Sequence, residues 1–159
     1  MSDIYDVKTF EPKNAIGYLI GHTRKALLEE IDRELAPLDL TAAQYIILSS
    51  LNHLQTATAA DLCNGIVYDP GAMTRLIDRL ELKGFVRRRR QPGDRRRVDL
   101  ELTEEGKALY PRMNAVVVRV LNRFLAGFTK KEVRELEQYL RRILTNARLE
   151  MPAELEANQ

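Results

Sequence analysis

The stretch "DPGAMTRLIDRLELKGFVRRRRQPGDRRRVDLELT", residues 69–103, changes its hydrophobic period part-way along, and that change decides the fold. Its first half predicts a helix. Asp69 stands where an N-cap is wanted, and Pro70 follows at the first helical position, where its missing N–H costs nothing. Met73, Leu76, Ile77 and Leu80 recur at helical spacing and face a core, while Thr74, Arg75 and Asp78 point the other way and Arg79 sits near the boundary. Gly84 suits the left-handed residue past the helix end. After it the period falls to two. "FVRRRRQ" and "RVDLELT" both alternate as strands, the second with Val98, Leu100 and Leu102 on one side, and Pro92-Gly93-Asp94 between them is turn chemistry. Residues 85–103 therefore read as a β-hairpin.

That hairpin is basic. Residues 87–97 hold seven arginines and one aspartate, whereas the rest of the chain carries 18 Lys and Arg against 22 Asp and Glu, so the overall net charge of +2 hides a strong asymmetry. Concentrated like charge needs full solvation or a polyanionic partner, and one basic region on an otherwise acidic chain is the pattern expected of a nucleic-acid binder.

Working outward, Ile16, Leu19, Ile20, Ala26, Leu27, Ile31 and Leu35 form a helical stripe that Pro37 and Asp39 interrupt. Thr41 and Gln44 form a capping box for a helix that holds Tyr45, Ile47, Leu48 and Leu51 and fails near Asn52. Thr58 caps a short helix expected to bury Ala59, Leu62 and Cys63 and to end at Asn64-Gly65. Downstream, Thr103, with Glu104 and Glu105 in the first turn, starts a long helix whose apolar positions run from Leu109 through Met113, Val116, Val117 and Val120 to Phe124. Pro111 either bends this helix or moves its start later, and Gly127 stops it. Thr129 and Glu132 make a second capping box, opening a last helix with Val133, Leu136, Leu140, Ile143 and Leu144 as its stripe.

The fold class is thus mainly α with a small β-hairpin wing. A short helix, a turn, a helix with an exposed Thr/Arg face and then a hairpin make a winged helix-turn-helix, whose second helix fits a major groove about 12 Å wide. Arginines on a projecting wing would neutralise phosphates and release counterions, and one at the tip could enter a narrow minor groove. Asp94, two residues before Arg96, would oppose DNA unless it orients a neighbouring guanidinium. Arg87 to Arg90 divide between phosphate contact and the other face of their strand, and Arg79 has two readings, DNA contact or an ion pair with Asp78 or a glutamate.

Other classes fare worse. There is no Gly-rich phosphate loop and no Ser/His/Asp set, so no catalytic residue is assigned. His22 and His53 are the only histidines and do not make a metal site, and no cofactor is implied. No apolar run approaches the roughly 20 residues that span a bilayer, and the first residues lack the apolar segment of a signal peptide. The single Cys63 reads as a small buried apolar residue and suits a cytoplasmic protein.

The segments "LAPLDLTAAQYIILSSL", "DPGAMTRLIDRLELKGFVRR" and "PGDRRRVDLELTEEG", in that order, resemble the MarR family of bacterial transcriptional regulators, and the wing carries the family's D-x-R…LT pattern as Asp94, Arg96, Leu102 and Thr103. The resemblance covers residues 12–147 as one domain. It implies a winged-helix lobe at about 41–103, dimerisation helices at about 13–36 and 104–147, and a polar tail at 148–159. It further implies a homodimer on a pseudo-palindromic double-stranded operator, usually a repressor. By family position Thr74 and Arg75 contact bases, Pro70, Gly71 and Ala72 approach phosphates, and Arg95, Arg96 and Arg97 form the wing tip beside Asp94. Family members are typically released from DNA by small aromatic carboxylates or phenols, for which Thr74 and Arg88 match contact positions. Tyr18 and His22, one turn apart on the first helix, could line that pocket, although His22 reads first as a surface or interface histidine. Cys63 does not stand at the family's oxidation-sensing position near the start of the chain. Two alternatives keep the fold: a protein-interaction module, or a constitutive DNA binder without ligand response.

Overall fold

The structure, a computed structural model, describes residues 3–66, 69–91 and 94–147, apart from the side chains of residues 64–66, 91 and 94–96. The Pro92-Gly93 turn and the tail at 148–159 lie outside the described residues. Six helices and a small sheet follow in the order α1 (Ile16–Leu35), α2 (Ala42–Leu54), β1 (Ala57–Thr58), α3 (Ala59–Ile66), α4 (Pro70–Leu82), β2 (Val86–Gln91), β3 (Asp94–Leu102), α5 (Glu104–Phe124) and α6 (Lys130–Asn146).

The helix boundaries are set by local chemistry. Thr41 Oγ1 accepts the Gln44 N–H at 3.2 Å while Gln44 returns a bond to the Thr41 N–H, and Thr129 and Glu132 repeat the arrangement at α6. Thr103 Oγ1 accepts from Gly106 N–H, so Pro111 neither delays the start of α5 nor ends it. Gly84 and Gly127 both take positive φ, +76° and +89°, where a Cβ would be strained. Two ends differ from expectation: α2 runs on to Leu54 and α3 to Ile66.

The sheet has one strand that sequence periodicity does not reveal. Ala57–Thr58 pairs with β3 and gives the antiparallel order β1-β3-β2. Two residues are too short to carry a period. This strand also corrects the burial expected nearby, because Ala57 is buried where Ala59 was expected to be, and Ala59 is exposed.

One core joins everything except α6. Ile31 and Leu35 of α1, Ile47, Leu48 and Leu51 of α2, Leu62, then Met73, Ile77 and Leu80 of α4 pack against Val86, Leu100 and Leu102 of the sheet and against Leu109, Met113, Val117 and Val120 of α5. Helix α5 lies along α1, where Arg123 bonds Glu34 at 2.9 Å and also Glu30, and Tyr45 Oη donates to Asn114 from α2. Burial pushes the Tyr45 hydroxyl above its ordinary value of 10.0. The α1 stripe is buried only at its C-terminal end: Ile16, Leu19 and Ile20 stay exposed, and α6 buries no residue at all.

Candidate nucleic-acid interface

Helix α4 is amphipathic in the way the spacing predicts. Met73, Ile77 and Leu80 are each at most 1% exposed, and Thr74, Arg75, Asp78 and Arg79 face outward. Asp69 Oδ1 accepts the Ala72 N–H at 2.9 Å and closes the first turn. Gly71 is where the chain can least accept a side chain in that turn, because a Cβ would lie 3.2 Å from Asp69 Oδ1 and 3.6 Å from an Arg75 nitrogen. The Arg75 guanidinium lies beside this helix start. Pro70 and Gly71 are exposed and Ala72 half-buried, so the α4 N-terminus is open to an anion. Thr74 donates its hydroxyl to the Pro70 carbonyl at 2.9 Å and keeps its acceptor capacity free to face outward.

The wing alternates from Val86 to Arg90, and its register shifts between Arg90 and Gln91. Arg88 and Arg90 pair in register with Leu100 and Val98, while Arg87 and Arg89 pair with Glu101 and Asp99. Side chains directly opposite on one face of an antiparallel pair are neighbours. Glu101 accordingly takes Arg87 at 3.1 Å and Arg89 at 4.0 Å. Asp99, buried at 2% exposure, takes Arg97 at 2.8 Å. On the other face Arg88 reaches across to α4, with Nη2 2.6 Å from Asp78 Oδ1 and Nη1 bonded to Glu81. Hydrogen bonding to Asp78 holds the Arg88 guanidinium above its already high ordinary pKa. Near the wing root, Asp61 accepts the Thr58 N–H and hydroxyl, which lower its carboxyl below the usual range.

The acids that answer the arginines are the residues sequence reasoning missed. The D-L-E alternation of 99–101 opposite R-R-R was the available signal, but it becomes legible only once register is known. Arg87, Arg88, Arg89 and Arg97 are therefore internally paired, whereas Arg90 makes no ion pair among the described residues. Arg79 likewise has none, and Asp78 is taken by Arg88 instead. The side chains of Asp94, Arg95 and Arg96 lie outside the described residues. Tyr18 and His22 do come together on α1, their rings stacked at 3.9 Å with the His22 Nδ1 3.0 Å from the Tyr18 carbonyl. No hydrogen bond or ion pair among the described residues links them to Thr74 or Arg88, which stand on α4 and β2.

Comparison with known proteins agrees with this geometry. The model of the MarR family matches residues 40–98, from the start of α2 into β3. The multiple antibiotic resistance protein MarR of Escherichia coli (strain K12) is 34% identical over 134 residues, covering 84% of this chain and 91% of that protein. The chain belongs to the MarR family. Members of the MarR family are DNA-binding transcriptional regulators. Among solved structures, a mutant MarR from E. coli complexed with operator DNA matches with a TM-score of 0.75 and 32% identity, over 85% of this chain and 99% of that one. BpsR of Bordetella bronchiseptica, whose structure concerns regulation of DNA binding by 6-hydroxynicotinic acid, shares the fold with a TM-score of 0.76 at 22% identity, over 84% of this chain and 96% of that one. Among the described residues no helix is long and apolar enough to cross a membrane, and no three His, Cys, Asp or Glu gather as a metal site would require.

Proposed function

We propose that this MarR-family chain is a homodimeric, cytoplasmic repressor that binds a pseudo-palindromic operator and has no enzymatic activity. The observation that carries the reading is the outward face of α4, where Thr74 and Arg75 stand opposite a fully buried stripe and beside an arginine-rich wing. Thr74 and Arg75 read base edges, Pro70, Gly71 and Ala72 offer the helix N-terminus to phosphate, and Arg79 contacts the backbone. Asp94, Arg95, Arg96 and Arg97 belong to the wing's contact with the adjacent groove. The operator complex of the E. coli relative supports DNA as the partner.

The regulator is one domain over 12–147. Residues 41–103 form the reading lobe, and 13–36 with 104–147 form the dimerisation helices. Leu136, Leu140 and Ile143 on α6, Phe124 and Phe128 near the α5–α6 junction, and Ile16 and Leu19 on α1 are all exposed in the single chain. Exposed large apolar side chains on these three segments are what an interaction site would present, and a second copy covers them. The effector is a small aromatic carboxylate or phenol, engaging Thr74 and Arg88 with Tyr18 and His22 as further lining. The regulation of BpsR by 6-hydroxynicotinic acid supports that ligand class.

A second reading, a DNA binder without ligand response, is favoured by one observation: Arg88 is already occupied by Asp78 and Glu81, with which an effector carboxylate would have to compete. Fluorescence anisotropy against the DNA upstream of the chain's own gene, with and without millimolar salicylate, separates the two. Tight, salt-sensitive binding that salicylate weakens supports a ligand-released repressor. Binding without that response supports the second reading, and no binding to either the upstream or a scrambled duplex overturns both.

A further inference from the structure

The wing follows the recognition helix through Lys83, Gly84 and Phe85, and its root is held by Val86, Leu100 and Leu102 in the core, so only its outer part can tilt against α4. Arg88 spans this joint from the wing side. Asp78 and Glu81 lie three residues apart on α4, hence on one face of the helix, and a single guanidinium holds both. Arg88 can do this because its donors form a planar fork, whereas a lysine offers only a point charge. Its side chain is 34% exposed against 56% for Asp78 and 39% for Glu81, so the forked geometry rather than burial holds the pairs.

From this geometry we propose that Arg88 is a positioning residue that locks the wing to the recognition helix as one rigid reading head, and is not itself a phosphate contact. The proposal rests on the DNA-binding reading above. Its physical content is a lever. From the buried root at Val86 to Gln91 is about 17 Å of extended strand at roughly 3.3 Å per residue, so a tilt of about 10° carries the wing tip about 3 Å. That displacement is as long as a hydrogen bond, so a looser joint costs the wing its register with the groove. The same clamp neutralises two carboxylates that would otherwise face DNA beside Thr74 and Arg75. Simple shielding is therefore the competing explanation, and the test must separate it from positioning.

The decisive comparison sets the wild-type dimer beside Arg88→Gln and the triple variant Arg88→Gln/Asp78→Asn/Glu81→Gln, which removes the clamp without leaving unpaired acids. Each is titrated with upstream DNA and with a scrambled duplex across a salt series, after thermal unfolding establishes that it folds. The expected result for the triple variant is about tenfold weaker operator binding, the scale of one lost specific contact, with scrambled-duplex affinity and salt slope unchanged. Wild-type operator affinity in the triple variant would mean that Arg88 only shields. A fall of about 1.8 in the salt slope on both duplexes, about 0.9 per subunit, would make Arg88 a phosphate contact. Either result overturns the proposal. A DNA-free measurement keeps it testable by itself: spin labels at Leu82→Cys and Arg90→Cys, in a Cys63→Ser background diluted with unlabelled protein, report the angle between helix and wing. The distance distribution broadens when the clamp is removed, and an unchanged distribution overturns the proposal even if the wild-type chain prefers no duplex and the DNA-binding reading itself fails.

Discussion

The Nε of Arg97 lies 2.8 Å from the carboxylate of Asp99, and Asp99 is only 2% exposed whereas half of the Arg97 side chain is in solvent. The pair is therefore asymmetric. A buried carboxylate that loses one of its partners keeps its desolvation cost, while an exposed guanidinium that loses its acid is rehydrated. Arg97→Gln is expected to destabilise the fold by about 1–3 kcal/mol and Asp99→Asn by less, read as shifts in urea midpoint at constant slope. The reverse order would show that Asp99 does not depend on Arg97.

Helix α5 approaches the start of the wing so closely that a Cβ at Gly106 would collide with the carbonyl oxygen of Phe85. That carbonyl already accepts the Thr103 N–H at 3.1 Å, and Thr103 Oγ1 bonds Gly84, so the backbone cannot step aside without breaking the α5 cap. Gly106→Ala is expected to cost roughly 2–3 kcal/mol, at the upper end of ordinary overpacking. Calorimetry that finds an unchanged Tm would show that the α5–wing joint is looser than its geometry.

Hydrogen bonds from Thr58 hold the Asp61 carboxyl below its ordinary value of 3.8. A depressed folded-state pKa contributes stability that is complete above the unfolded value and is lost as pH falls through the folded one. Asp61→Ala should therefore destabilise the protein by about 1 kcal/mol at neutral pH, the usual worth of a helix cap. The gap from wild type should hold down to about pH 5 and narrow below it. Parallel urea titrations at pH 7 and pH 3 that give the same gap would count against this role.

On the wing, pairing decides which arginines are available for the phosphate contacts proposed above. Arg90 makes no ion pair among the described residues, while Arg87 faces Glu101 at 3.1 Å. Arg90→Gln should lower the log-log salt slope of operator binding by about 1.8, about 0.9 for each of the two subunits. Arg87→Gln should change it far less, since Glu101 then turns to Arg89. Equal slope changes would mean that DNA displaces Glu101 from both.

Local signals carried most of the fold because most of its boundaries are local events. The Thr41–Gln44 and Thr129–Glu132 boxes, the Asp69 cap, the Gly84 turn and the switch from period 3.6 to period 2 after it each depend on residues within a few positions of one another. The outward placement of Thr74 and Arg75 follows from the same periodicity. Register, approach and pairing did not follow. Ala57–Thr58 becomes a strand only because β3 passes beside it, Gly106 is obligatory only because Phe85 lies against it, and Arg88 meets Asp78 and Glu81 only because the wing folds back over α4. The sequence alone determined where the positive charge is concentrated. The tertiary structure decided which charges remain available, because a carboxylate neutralises an arginine by lying within hydrogen-bonding distance in space, and strand register sets that distance.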